Sequence, residues 1–452
     1  MREVDRRTFL QRAAATASGV SLYPACSLAA ALHQGHPLAP RPGHHPAKAK
    51  HLILFFMTGG MSHIDTFDHK PKLNADAGKK LGDERTLKAS QFAFSRYGSS
   101  GRMVSELLPH MGGKIDELCL LHSVFNPSAG HSAATLGMHT GSITFPLPSI
   151  GSWISHGLGT LNPSLPSFIV FAEKEPYNAY QCWDAHFLPA YHTGTRVIPG
   201  PQPIAHLKNP ITSLTRRELE RTMLRDLNEA HLDLRAGDLD LEARASSFNT
   251  AYGLMQEAPE AFDISHESDG TLAAYGLDRN DRKSFAWQCL STRRLIERGV
   301  RVVELFDVGS NSNWDDHGNM ELHRKHAKNI DQPIAALIGD LRERGMLEDT
   351  LIVGCTEFGR TPWADKNPKG RGHHAAAFTC FFAGGGSKAG YSHGETDAYG
   401  AEVVSNPVHL NDFHATILHL MGLDHESLTY RYSGRDYRLT DVGGEVVDQV
   451  IA

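Results

Sequence analysis

Thr350 to His374 reads TLIVGCTEFGRTPWADKNPKGRGHH. Leu351, Ile352 and Val353 are strand formers, and Gly354 to Thr356 bring the chain to a sheet edge. Glu357 stands where that strand runs out, followed by Gly359, Arg360, Arg371, His373 and His374 in a polar loop. In parallel sheets, ligands collect just beyond the carboxyl ends of the strands. A carboxylate and two adjacent histidines at such an end mark a candidate site rather than a simple turn.

Working outward, other apolar runs share this form. His51 to Met57 (HLILFFM) is apolar throughout, as a strand buried on both faces is. It ends in a glycine turn carrying Ser62, His63, Asp65 and Asp68. Further strands are expected at Leu118 to His122, Leu165 to Phe171, Arg301 to Asp307 and Phe378 to Phe382. Helices are expected at Met103 to Lys114, Ser284 to Gly299, Asn319 to Gly345 and Leu410 to Met421, and a helix carrying His131, Ser132 and His139 before Gly141. From Ser213 to Met255, leucines recur at three and four residues between acid–base pairs, which predicts a helical insertion with a solvated face. Strands alternating with helices predict an α/β sandwich with a largely parallel central sheet. Residues 172–285 form its insertion, lid-like and then helical, within one domain over 51–452.

The chain has 452 residues, a hydrophobic fraction of 40% and a net charge of -6, so a sizeable core is available and no general affinity for nucleic acid is implied. Residues 1–31 read as a twin-arginine export signal: Asp5-Arg6-Arg7-Thr8-Phe9-Leu10-Gln11, a mild apolar stretch, then small residues suited to cleavage. Residues 32–50 are a His-, Pro- and Ala-rich linker. A periplasmic or secreted location is expected, reached through the twin-arginine translocase. No other run approaches the length of a membrane span. Of six cysteines, Cys26 falls in the signal, and the widely spaced remainder read as core thiols rather than a disulfide framework.

Four stretches leave strands or open helices with metal-type ligands: Ser62, His63, Asp65 and Asp68; His131 with Ser132; Asp315, Asp316 and His317; and Glu357 with His373 and His374. Each alone has an ordinary explanation. Asp315 and His317 would suit a capped helix start, and Glu357 could bind an arginine. Together they offer carboxylate oxygen and imidazole nitrogen, the mixture that a borderline divalent ion accepts. One or two such ions, zinc or another transition metal, could activate a nucleophile and neutralise the leaving oxygen of a sulfate or phosphate ester. Arg360 and Arg371 either hold the anionic oxygens of such an ester or pair with Glu357 and Asp365.

These residues carry a resemblance. Gly59-Gly60-Met61-Ser62-His63-Ile64-Asp65-Thr66-Phe67-Asp68, Trp314-Asp315-Asp316-His317, Thr356-Glu357-Phe358-Gly359-Arg360-Thr361-Pro362, Gly370-Arg371-Gly372-His373-His374 and Asp412-Phe413-His414-Ala415-Thr416 occur in order. Over nearly its whole length the chain resembles the twin-arginine-exported, sulfatase-like bacterial family known as domain of unknown function 1501, in the alkaline phosphatase superfamily. The resemblance implies an alkaline-phosphatase/sulfatase-like sandwich. It also implies metal ligands among His63, Asp65, Asp315, His317, Glu357, His373 and His374. Two departures stand out: Phe358 occupies a usual ligand position, and His131 stands where sulfatases carry a Cys or Ser nucleophile. Ser132 and Ser62 are the nearby hydroxyls, and Arg360 and Arg371 complete the candidate catalytic set with His131. The expected activity is an exported metal-dependent hydrolase of sulfate or phosphate esters. Its substrate would be an anionic ester or a sulfated or phosphorylated carbohydrate. A non-catalytic secreted metal- or ligand-binding protein on the same fold is the alternative.

Overall fold

The computed structural model describes residues 37–452 except 83–84, 206, 208–212, 309–312 and 366. The export signal with Cys26, and the first residues of the linker, lie outside the described residues. Among the described residues, nine strands form one sheet: β1 (His51–Phe56), β2 (Leu118–Phe125), β3 (Phe168–Phe171), β4 (Thr195–Val197), β5 (Val302–Phe306), β6 (Thr350–Cys355), β7 (Phe378–Ala383), β8 (Tyr391–His393) and β9 (Val408–His409). Their order is β8-β2-β7-β6-β1-β5-β3-β4, with β9 also paired to β2. β7 runs against β6 and β2, and every other pairing is parallel. The protein is therefore a mixed α/β sandwich on a largely parallel sheet.

Seven described helices have nine residues or more: α1 (His131–Thr140), α2 (Ile150–Leu158), α3 (Leu214–Asp233), α4 (Leu239–Phe262), α5 (Phe285–Glu297), α6 (Leu322–Glu343) and α7 (Leu410–Leu420). Strand residues alternate between faces. Ile53 and Phe55 of β1 join Val303 and Ile352 in one core with Trp287 and Leu290 of α5 and Ile334 and Ile338 of α6. Leu52, Leu54 and Phe56 join Val302, Leu351 and Val353 in the other, with Met138, Ile154, Phe413 and Ile417 of α1, α2 and α7. Burial of each such side chain is worth about 1.5–3 kcal/mol, and burial on both faces is why these strands read as unbroken apolar runs.

The topology decides where the polar residues go. The carboxyl ends of β2, β6, β1 and β5 share one edge of the sheet, since these four strands are parallel. β7 is antiparallel, so its amino end opens on that same edge. The residues just before it therefore arrive beside those that follow the other strands.

Four local expectations change. Met103 to Lys114 is not one helix: Arg102–Ser105 pairs with Phe94–Tyr97 as a hairpin, and Pro109 starts only a single turn, Pro109–Gly112. The helical stretch from Ser213 is two helices, α3 and α4, separated at Gly237, whose φ of 87° suits glycine. Residues 172–210 include β4, which extends the central sheet at its edge. The loop holding His373 and His374 is a β-hairpin, Gly359–Ala364 against Arg371–His374, with Arg360 opposite His373.

Candidate metal centre

Four side chains meet at the shared sheet edge. His131 opens α1, Asp315 and His317 follow β5, and His373 closes the hairpin before β7. One ligand atom each of His131, Asp315 and His373 lie within 4.8 Å of one another. Asp315 is the hub. Its Oδ2 is 3.2 Å from His131 Nε2, and its Oδ1 is 2.9 Å from His317 Nε2 and 3.2 Å from His373 Nε2. Arg360 Nη2 donates to the same Oδ1 at 2.7 Å.

The other ring nitrogen of each histidine is already engaged. His131 Nδ1 is 2.7 Å from Glu357 Oε1, His317 Nδ1 is 2.7 Å from Asp365 Oδ2, and His373 Nδ1 is 2.8 Å from the Ala129 carbonyl. Carboxylates and carbonyls only accept, so each Nδ1 carries a hydrogen, and in a neutral ring Nε2 is left as a lone pair. Three lone pairs thus converge on one carboxylate. His317 Nε2 and His373 Nε2 lie 2.8 Å apart, a separation that either a proton shared between them or a metal ion beside them accommodates. His131 Nε2 is buried and has no hydrogen bond of acceptable geometry, despite its nearness to Asp315. Imidazoles whose second nitrogen is held by an acid or carbonyl are the ordinary form of metal-binding histidines. The donor set fits a divalent cation such as zinc.

Electrostatics agree. Burial disfavours charge on Asp315, but the His131 and His373 rings and the Arg360 guanidinium beside it outweigh that and hold the carboxyl well below the usual range. Burial likewise opposes a charged His131, yet the Asp315 and Glu357 carboxylates on its two nitrogens prevail and raise its pKa. Both shifts show that the carboxylates here attract positive charge, which a proton on His131 or a metal ion would supply.

Glu357 is fully buried and acts behind His131. Its two oxygens accept from Gly59 N at 2.9 and 3.0 Å, and Thr356 Oγ1 donates to Oε2 at 3.1 Å. Gly59 has φ of 110°, and a Cβ there would stand 1.5 Å from Asn313 Oδ1, so only glycine lets the turn after β1 pass. Phe358 packs its ring against His131 and His373, centroids 4.8 and 4.5 Å away, and so walls the site with an apolar side chain that offers no ligand atom.

Several expected site residues are placed elsewhere. Arg360 is fully buried and donates to the carbonyls of Gly59, Gly60 and Trp314 as well as to Asp315. Arg371 is fully buried on Asp65, with Nε 2.8 Å from Oδ2, and on the carbonyls of Lys88, Ala89 and Thr361. Neither guanidinium faces an open cleft, and neither pairs with Glu357 or Asp365. Ser62 is buried and spends its hydroxyl on Asp65 at 2.6 Å. His63 and His374 stack at 5.9 Å, and the Nε2 of each meets a backbone carbonyl, Gly400 at 2.9 Å and Ala401 at 2.7 Å. The fold therefore keeps His63, Asp65 and His374 out of the cluster: Asp65 is taken by Arg371 and Ser62, and the two rings turn Nε2 onto backbone carbonyls, with His63 Nδ1 left buried and without a hydrogen bond. Ser132 is exposed beside His131.

Residues 49–451 match the family described as "Protein of unknown function (DUF1501)". The chain belongs to the DUF1501 family. No curated protein matches it significantly. Solved structures similar to this DUF1501 chain include the PsFucS1 sulfatase from Pseudoalteromonas sp., with 13% identity over 89% of this chain and 73% of that one, TM-score 0.36. Ps i-CgsB in complex with k-i-k-neocarrahexaose is another, with 11% identity over 83% and 72%, TM-score 0.35. A TAB5 alkaline phosphatase mutant with bound Mg gives 12% identity over 83% and 99%, TM-score 0.34.

Two groups at the DUF1501 cluster escape sequence reasoning. Asp365 orients His317, although its nearness to Arg360 and Arg371 suggests an arginine partner. Tyr177 stacks flat on His131, centroids 4.3 Å apart at 10°, and its hydroxyl accepts from Asn313 Nδ2 at 2.8 Å. Only its place in the insertion hinted at this. The next residues, Asn178 and Ala179, have φ of 67° and 50°, and Asn178 donates to the Ser132 carbonyl, so a strained turn pins the ring over the site. A second pair of unforeseen anchors lies behind the loop. His323 Nδ1 meets Asp316 Oδ2 at 2.7 Å, and His326 Nε2 lies 3.2 Å from the same oxygen, tying the neighbour of Asp315 to α6.

Proposed function

We propose that this protein is an exported, metal-dependent hydrolase of sulfate or phosphate esters. The observation that supports this most is the convergence of His131, His317 and His373 Nε2 on Asp315, each ring held from behind by an acceptor. Those four residues would hold a divalent ion, zinc or another transition metal. Such an ion, when bound, lowers the pKa of water and polarises an ester oxygen.

The chain's own groups do the rest. Glu357 and Asp365 keep the protons on Nδ1 of His131 and His317 and so keep Nε2 open. Arg360 fixes Asp315 and the turn after β1 together. Tyr177 packs on His131 and Phe358 on both His131 and His373, and these apolar ring faces limit water there. The described cysteines are buried and free, and burial pushes their thiols up, to about 12 for Cys119. None offers a ready thiolate, so water is the nucleophile in this reading, with Ser132 the accessible hydroxyl alternative. No described helix is long and apolar enough to cross a membrane. The Arg6-Arg7 motif supports delivery to the periplasm or beyond through the twin-arginine translocase. Anionic small-molecule esters and sulfated or phosphorylated carbohydrates are the substrate classes that a cationic centre at this edge would take.

The test is turnover of aryl sulfate and aryl phosphate by metal-replete protein, abolished by a chelator and restored by the metal. Bound metal without turnover across a broad ester panel would instead support the second reading, a secreted binding protein on this fold. One observation favours that alternative: both arginines available to grip an anion are buried in the scaffold.

A further inference from the structure

An anionic ester at this centre needs a hydrogen-bond donor beside the ion, and the arginines do not supply it. Arg371 lies on Asp65, and Arg360 donates to the carbonyls of Gly59, Gly60 and Trp314 and to Asp315. The three histidines have no proton to spare either. Their Nδ1 hydrogens go to Glu357, Asp365 and the Ala129 carbonyl, and their Nε2 atoms turn to Asp315. Asp315, Glu357 and Asp365 are carboxylates, which only accept, and Phe358 has no polar side-chain atom. Of the described side chains bonded to these rings or stacked on them, the phenol of Tyr177 is left.

The direction of its hydrogen bond shows that the phenol proton is unspent. Asn313 Oδ1 accepts from Asp315 N at 3.0 Å, so the amide turns Nδ2 toward Tyr177. Nδ2 only donates, and the Tyr177 oxygen therefore accepts it at 2.8 Å. No described residue accepts the phenol hydrogen in return. The oxygen is also held in place. The ring lies flat on His131, the hydroxyl rests on the loop that carries Asp315, and Asn178 ties the following turn to the Ser132 carbonyl. Asn178 and Ala179 both have positive φ, a backbone that non-glycine residues keep only where the surroundings impose it. A wall needs none of this. Phe358 packs on the same His131 ring without a hydroxyl.

We propose that Tyr177 is the substrate-binding donor of this centre, its hydroxyl giving a hydrogen bond to a non-bridging oxygen of the sulfate or phosphate group. This rests on the reading of the cluster as an ester-binding metal centre. Such a bond, from a neutral donor to a charged acceptor, belongs to the stronger class. Titration calorimetry of inorganic phosphate and sulfate into the zinc-loaded full chain tests it apart from turnover. Tyr177→Phe keeps the ring on His131 and should weaken anion binding about 10-fold or more. Its zinc affinity, read by chelator competition, should stay within about 3-fold of wild type. Tyr177→Ala should weaken the anion at least as much. On any ester that is turned over, Tyr177→Phe should raise KM about as far as it weakens the anion. A Tyr177→Phe chain that holds both anions as wild type does would overturn the proposal, and so would a zinc-loaded wild type that holds neither. Weaker anion binding in Tyr177→Phe, with no ester turned over by wild type, would keep Tyr177 as an anion donor and sink the hydrolase reading. Turnover with KM and anion affinity unmoved by Tyr177→Phe would do the reverse.

Discussion

Two groups of histidines and acids leave the same edge of the same sheet, and they end in opposite states. In the first, His131, His317 and His373 have Nδ1 held and Nε2 aimed at Asp315. In the second, His63 and His374 give Nε2 to the carbonyls of Gly400 and Ala401, and Asp65 is consumed by Arg371 and Ser62. Residue type does not separate the two. What separates them is which ring nitrogen meets an acceptor. The first group turns its Nε2 atoms on one carboxylate, whereas the second has both Nε2 atoms and Asp65 engaged by the protein, with His63 Nδ1 buried and unbonded.

The sharpest way to break this contrast is to disturb the second group and look for an effect on metal. Asp65→Ala leaves the fully buried Arg371 unpaired, and loss of one partner of a buried pair costs about 3–5 kcal/mol. Chemical denaturation should show that loss, while metal affinity of the folded protein stays within about 3-fold, a tolerance of roughly 0.7 kcal/mol. A comparable loss of affinity would merge the two groups.

The reciprocal change is Asp315→Ala, which removes the hub. Zinc affinity measured by competition with a chromophoric chelator should fall at least ~100-fold, since it deletes a ligand rather than a group behind one. Stability should fall as well, because Asp315 is the carboxylate partner of the fully buried Arg360, so the affinity is compared on protein shown to be folded. Glu357→Gln should have an intermediate effect of about 10–100-fold on metal affinity, as expected for an orienting carboxylate. It would leave the Gly59 bond largely intact, since the amide oxygen still accepts.

The second group also predicts a pH response. Burial lowers the pKa of His63 to about 4, from an ordinary value of 6.5. Between those values the unfolded chain takes up a proton that the folded chain refuses, so stability is complete above pH 6.5 and falls as pH drops toward 4. The slope from one such histidine is about 1.4 kcal/mol per pH unit. His414, lowered to about 4 by burial, adds a similar share. His63→Leu should remove its part of the slope in denaturation curves between these limits. An unchanged slope would mean that the ring titrates normally in the folded state.

The contrast also marks what a sequence discloses. β1, β5, β6 and β7 were legible because strands buried on both faces are continuous apolar runs. The shared edge was legible too, because polar residues follow each run. The Phe94–Tyr97 and Arg102–Ser105 hairpin was not, since its strands are short, half-exposed and without strict alternation. Within the site, sequence assembled His131, Asp315, His317, Glu357 and His373 but could not exclude His63 or His374. The deciding partners of those two are backbone carbonyls brought near by distant turns, and every residue has a carbonyl. Tyr177 was out of reach for a related reason: its role depends on a strained turn in a segment with no periodicity.

The most direct measurement is anomalous X-ray scattering from crystals of zinc-replete protein. The account predicts one strong zinc peak about 2.0–2.2 Å from a carboxylate oxygen of Asp315 and from Nε2 of His131 and His373, with His317 Nε2 beside it. A zinc-replete crystal with no peak there, or with the ion held between His63 and His374, would contradict it.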